Sequence, residues 1–227
     1  MLTQNLGYPR IGAGRELKKA RENYWAGRIN LQELFHAGKK EKIKNWTLQQ
    51  TCGIDLIPCN DFSFYDQVLD HSLMFGAIPE RFDPLKEILS ETDLYFAMCR
   101  GYQKDGFDII AMEMTKWFDT NYHYLVPEFT KNQKFELQNS HVVDEFNEAI
   151  QAGVKHPKPV LIGPVSYLLL GKEKEEGFHR LALIDQLLPL YISVLKELQN
   201  QGCLYVQIDE PFLVTDLLKL PVRRWNC

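Results

Sequence analysis

The sequence is short of everything that would make a disulfide frame, a metal motif or a membrane span. Its cysteines, Cys52, Cys59, Cys99, Cys203 and Cys227, are odd in number, widely spaced and never form a CxxC pair. That pattern fits reduced thiols in a cytoplasmic protein better than a disulfide framework. The six histidines are scattered, with none at ligand spacing from a cysteine or another histidine, so a zinc site has no support here. No apolar run approaches the length of a membrane span, and Met1 leads into polar residues rather than a signal peptide. Charge of one sign is also sparse. The formal net charge is -4 without a long block of like charge, which argues against nucleic acid as a partner. Lys39, Lys40, Lys42 and Lys44 read instead as a solvated helix face. No Walker loop, nucleophile elbow or Ser-His-Asp order is present, and no repeat or low-complexity segment.

What is there is the composition of an ordinary globular chain: 227 residues, 45% hydrophobic and 25% charged. Short apolar runs predict strands at Asn5 to Pro9, Asp55 to Pro58, Ile109 to Met112, Pro159 to Ile162 and Leu204 to Ile208. Helical patterns lie between them. One starts near Arg15, the next is capped by Asn30, and Gln67 to Arg100 is mostly helical with turns near Pro79 and Pro84. A further helix runs from His141 to Gln151. The longest carries Leu181, Ile184, Leu187, Leu188, Tyr191, Ile192, Leu195 and Leu198 at helical spacing and ends at Gly202. This alternation predicts βα units, hence an α/β fold with a parallel sheet and helices outside. An eight-stranded barrel takes about 250 residues. Five strands in this length fit an open sheet or an incomplete barrel in one domain.

Each predicted strand ends in polar residues, and in such folds the carboxyl edge is where sites are built. The densest example is Phe107 to Glu128, where an apolar run gives way to Glu113, Lys116, Trp117, Asp119, Asn121, Tyr122, His123 and Tyr124. Aromatics crowded beside charges favour a binding surface over a solvated loop. Lys116 can place its ammonium over a site while its stem packs on Trp117. His123, between two tyrosines, reads more readily as a packed residue than as a base. Gly12 and Gly14 precede a helix start that Arg15 and Lys18 make more positive, an arrangement suited to an anion or to a plain turn. Asn60, Asp61 and Asp66 after the second strand, and Asp209 and Glu210 after the fifth, are ligand groups or turn and cap residues; spacing does not choose.

Several segments carry a resemblance: LGYPRIGAGRELKKA, YWAGRI, GIDLIPCNDFSFYDQVLD, MFGAIPERF, EMTKWFDTNYHYLVPE, PVLIGPVSYLLLGK and VQIDEPFLV. From Leu6 to Asp216 they resemble the amino-terminal half of the cobalamin-independent methionine synthases, which are 5-methyltetrahydropteroyltriglutamate–homocysteine methyltransferases. The resemblance implies a (βα)8 TIM-barrel type of domain, present here with about five strands over residues 1–216. It also implies a partner, the carboxyl-terminal catalytic barrel, which carries zinc that binds homocysteine as thiolate. Cobalamin is not expected, and neither zinc ligands nor a catalytic residue are expected in this chain. In the family's pattern the RELK segment contacts the folate, matched here by Arg15, Glu16, Leu17 and Lys18, and so does the lysine matched by Lys116. Asn60, Asp61, Trp117, Asp119, Asn121, His123, Asp209 and Glu210 are the candidate wall of that site. Residues 217–227 depart from the pattern and are expected to be an atypical tail. A stand-alone, non-catalytic folate-binding or interaction module is the alternative. An unclosed barrel would leave strand edges bare, and poor stability is expected of it.

Overall fold

The computed structural model describes residues 1–215. Helix α1 (Glu16–Trp25) is followed by α2 (Leu31–Thr51), which starts from a reciprocal cap: the Asn30 side chain accepts from the Glu33 N–H, and the Glu33 carboxylate accepts from the Asn30 N–H. Strand β1 (Ile57–Cys59) leads to α3 (Gln67–Met74), a 3-10 turn at Glu80–Leu85 and α4 (Glu91–Arg100). Three short strands follow, β2 (Met114–Lys116), β3 (His123–Leu125) and β4 (Glu128–Phe129), then α5 (His141–Gln151). The chain continues through β5 (Pro157–Ile162), α6 (Pro164–Leu170), β6 (Lys172–Glu173), α7 (Ile184–Asn200) and β7 (Gln207–Asp209). A 3-10 turn at Pro211–Val214 closes the described part.

The main sheet is parallel, in the order β1-β5-β7, with Ile57 opposite Pro157 and Val160 opposite Gln207. A parallel bridge from Gln4 to Leu56 extends it beyond β1. Central β5 is buried along its whole length, as a strand covered on both faces must be. Helices α5, α6 and α7 bury Phe146, Tyr167, Leu187 and Leu198 into the core that includes Leu161 and Ile162. A second core gathers Leu34, Leu69, Phe82, Leu94 and Met98 from α2, α3, the 3-10 turn and α4. Arg81 clamps that turn to β4 with both outer nitrogens 2.7 Å from the Glu128 carboxylate.

The α/β class with a parallel sheet and surrounding helices is therefore present, while the sheet of the described residues does not close into a barrel. Three of the five expected strands form, with their starts shifted by two or three residues. Asn5 to Pro9 does not form one beyond the single bridge at Gln4, because Gly7 and Pro9 interrupt the ladder and Pro9 has no N–H to give it. Ile109 to Met112 is not a buried strand either. Ile109 pairs back, antiparallel, with Tyr102, and Ile110 is 70% exposed. The strand near Leu204 begins only at Gln207, leaving Leu204 75% exposed.

The lysine face of α2 also needs correction. Lys39, Lys40 and Lys44 are exposed as expected, but Lys42 is partly buried against α5, with its ammonium held by the Glu145 and Glu148 carboxylates. Helix periodicity marks faces, but which face meets another helix is a tertiary fact.

Candidate functional site

The parallel sheet directs its carboxyl ends to one side, and four connections meet there. Residues 7–15 enter first: the Tyr8 N–H donates to Asp61 at 2.7 Å, and Arg10 donates to the Tyr65 carbonyl. Residues 60–66 leave β1 on the same side. The turn after β5 and the turn after β7 are tied together by Gly163, whose N–H donates to the Asp209 carbonyl at 2.8 Å. The antiparallel hairpin β2–β3, with Lys116 opposite His123, lies against these connections. Arg10 stacks 5.3 Å from the Tyr122 ring centroid, and Phe118 packs on Phe212 at 5.0 Å. The aromatics of the hairpin mostly face one another, with Trp117 against Phe118, Tyr122 and Tyr124.

Much of the expected wall is committed to holding these connections. The Asn60 amide donates to the Val160 carbonyl at 2.8 Å, and its backbone N–H donates to Glu145. Asp61 receives Tyr8, and burial pushes its carboxyl up to about 6. Glu210 accepts from the Val165 and Ser166 N–H groups at 3.0 and 2.7 Å, capping α6 with a charge that the helix N-terminus favours. Gly163 makes room for this: a Cβ there would sit 2.2 Å from the Glu210 carboxyl carbon. Asp209 accepts from the Gln207 amide at 2.9 Å, and burial raises its carboxyl.

The expected folate-contacting residues are arranged differently. Arg15 takes a left-handed conformation at the entry to α1 and is exposed, as is Lys18, which pairs loosely with Glu22 at 3.7 Å. Glu16 accepts from the Gly14 N–H at 2.9 Å and is held below the usual carboxylate range, its own backbone N–H being the largest cause. Leu17 is a core residue with no exposed surface, so its side chain positions α1. Lys116, Asp119 and Asn121 are exposed on the hairpin. His123 is exposed rather than packed, its Nδ1 3.0 Å from the Asn121 carbonyl. No ion pair involves Arg15 or Lys116 among the described residues.

Three further residues shape the same region: Asp66, for which the sequence left ligand and cap roles open, and Arg10 and Arg21, which it did not single out. Asp66 is fully buried, accepting from Leu69 N–H at 3.0 Å, Leu125 N–H at 2.9 Å and Tyr122 hydroxyl at 3.1 Å. It caps α3 and docks the hairpin in one carboxylate, and burial pushes its pKa up to about 6. Arg10 and Arg21 each give an outer nitrogen to a backbone carbonyl, of Tyr65 and Phe64, and each keeps a buried Nε without an acceptor among the described residues. Desolvation first, and then the charge of Arg10, holds the Arg21 guanidinium below its ordinary pKa. Neither Arg10 nor Arg21 forms an ion pair among the described residues, and guanidiniums so placed suit a carboxylate. The sequence signal was the Arg10 beside Pro9 and Gly12, before the RELK segment.

No three His, Cys, Asp or Glu side chains converge as a metal-holding group among the described residues, so no step through a metal is derived for this chain. No described helix is long and apolar enough to cross a membrane.

Comparison with known proteins completes the picture. Residues 2–225 match the family model described as cobalamin-independent synthase, N-terminal domain; the atypical tail expected at 217–227 lies outside the described residues. The chain is 64% identical over 217 residues to the 5-methyltetrahydropteroyltriglutamate–homocysteine methyltransferase of Flavobacterium johnsoniae, covering 96% of the chain. It is 61% identical to that of Cytophaga hutchinsonii and 52% to that of Saccharomyces cerevisiae, covering 96% and 93% of the chain. In each case it spans about 28% of the relative's length.

Proposed function

The chain belongs to the cobalamin-independent methionine synthase family, in its amino-terminal domain, and from that premise we propose that it supplies the folate-holding side of a methyl transfer from 5-methyltetrahydropteroyltriglutamate to homocysteine. The single observation that carries the reading is the set of cations around the carboxyl edge that have no acid partner among the described residues: Arg15 and Lys116 outside, Arg10 and Arg21 within. A triglutamate tail is a string of carboxylates, and its length matches a distributed set of cations better than a single pocket. The Arg10 and Arg21 guanidiniums are already fixed by carbonyls and ring stacking, so little side-chain entropy is lost when a carboxylate arrives. Each exposed contact contributes on the order of 1 kcal/mol, so several are required.

The chain's residues bind and orient; proton movement and thiolate activation belong to the remainder of the complete enzyme. That remainder is the proposed carboxyl-terminal barrel with its zinc and homocysteine. A cytoplasmic location is part of the same proposal.

Calorimetric titration tests it directly. The chain is expected to bind the triglutamate folate well above the monoglutamate, without methyl transfer on its own. In a complete enzyme, Lys116→Ala is expected to weaken triglutamate binding several-fold and monoglutamate binding little. Equal losses for both would remove Lys116 from the tail site. Absence of any triglutamate preference would leave the interaction-module alternative as the better reading.

A further inference from the structure

Behind the 60–66 connection of the carboxyl edge, a cavity of about 250 Å³ opens between α2, that connection, α3 and the starts of α4 and α5. One wall is aromatic: Phe35, Phe62 and Phe64, with Phe62 edge-on to Phe64 at 5.3 Å and Phe35 tilted against it at 5.5 Å. The Phe64 ring reaches this position because α2 has Gly38 beneath it. A Cβ there would lie 2.7 Å from the ring. The opposite wall holds Asp70, Glu91 and Asp144, and neither lysine nor arginine is among the lining residues.

From this geometry we propose that the cavity is a binding site for a small organic ammonium, held by the three phenylalanine rings and the three carboxylates. Ring faces attract cations, and a low-dielectric wall strengthens the attraction to a carboxylate opposite. The protein makes the same contact itself: the Lys42 ammonium lies 5.6 Å from the Phe62 ring centroid. The starts of α4 and α5 border the cavity with their positive ends, but their first turns carry Glu91, Asp93 and Asp144, which answer that field and leave the rim acidic. Asp70 is the group that most needs a cation. Burial pushes its carboxyl up to about 7, with Ser63 and Tyr95 hydroxyls and the facing His141 lowering it and Asp66 raising it. A bound ammonium would supply the missing counter-charge. This reading does not depend on the folate reading, since it uses none of the same side chains.

Choline and its neutral isostere 3,3-dimethyl-1-butanol are the probes, titrated into the whole chain by calorimetry and by ligand-observed NMR. Choline is expected to bind at least tenfold tighter than the neutral molecule, and tighter at pH 8 than at pH 6. Above about pH 7 Asp70 is ionised and offers the cation a full counter-charge. Asp70→Asn is expected to weaken choline at least fivefold with the isostere unchanged. Phe35→Ala, at the exposed mouth, is expected to weaken both. Equal binding of choline and the isostere, or choline binding unaffected by Asp70→Asn, would overturn the proposal, as would no choline binding to the unaltered chain.

Discussion

Asp66 and Lys116 both belong to the β2–β3 hairpin's surroundings, and they end in opposite situations. Asp66 is buried, spends its carboxylate on two backbone N–H groups and the Tyr122 hydroxyl, and thereby fixes where the hairpin sits. Lys116 is exposed at the end of β2 and has no acid partner among the described residues. The same division runs through the whole carboxyl edge. Asn60, Asp61 and Glu210 are tied to backbone groups, whereas Arg15, Lys116 and the buried Nε atoms of Arg10 and Arg21 are not. Acids and amides here build the frame, Arg10 and Arg21 are held by carbonyls with one nitrogen each to spare, and Arg15 and Lys116 stand open to a ligand. A polar residue following a strand is therefore ambiguous until its hydrogen bonds are known.

The largest expected effect tests the buried half of this contrast. Asp66→Ala removes the acceptor for three buried donors at once. Each lost partner costs about 1–3 kcal/mol, so a total of about 3–5 kcal/mol is expected. Chemical denaturation should show the loss, and the Tyr122 environment should change with it. A loss under about 1 kcal/mol would mean that the hairpin is docked by its aromatics alone.

A second test uses proton linkage. Asp61 and Asp66 are pushed up to about 6 and Asp70 to about 7, so the folded chain holds more protons than the unfolded one between about pH 4 and 7. Stability therefore falls as pH rises through that window. His71 acts in the opposite direction. Its Nδ1 donates to the Gln67 carbonyl and its Nε2 accepts from the Ile162 N–H, and burial holds it down at about 4. Its contribution is lost as pH falls from about 6.5 to 4. Three carboxyls outweigh one imidazole, and thermal unfolding should be several degrees higher at pH 5 than at pH 7.5. The reverse order would mean that these carboxyls are ionised and solvated in the folded chain.

How much of this was legible beforehand depends on what each residue's role requires. Helix α5 is read from the sequence at its observed limits, and Asn30 as the α2 cap, because periodicity and capping are local. The parallel α/β character was legible too, from alternation alone. The pairing of Ile109 was not: Ile109 to Met112 is as apolar as a buried strand, yet Ile109 bridges back to Tyr102, and no pattern encodes a partner. Lys42 was misread for the same reason, since α5 supplies the acids that bury it. Asp66 looked like any turn residue because its importance lies in Leu125, 59 positions on. Among the candidates, the cations kept a binding role better than the acids did, since an unpaired cation is informative only once the acids have been accounted for.

Glu210 offers a medium-sized effect that isolates one frame residue from the cations. Glu210→Ala should cost about 1–2 kcal/mol, the value of a charged cap on two helix N–H groups. Gly163→Ala should cost a similar amount by another route, since its methyl group would occupy the place of the Glu210 carboxyl. The double variant should be little worse than either single one, because both remove the same cap. Additive losses would show that Gly163 and Glu210 serve separate purposes.

The smallest expected effect on stability belongs to the free cations, and its smallness is the point. Arg15 and Lys116 are exposed and unpaired with any acid among the described residues, so Arg15→Ala and Lys116→Ala should each change unfolding free energy by no more than about 0.5 kcal/mol. Arg15 adds one complication, its left-handed conformation at φ 61. Arg15→Gly should therefore be slightly stabilising, by up to about 1 kcal/mol, where Arg15→Ala is neutral. A frame residue cannot behave this way. If either alanine variant instead costs several kcal/mol, that cation is part of the frame, and its claim to a carboxylate ligand falls with it.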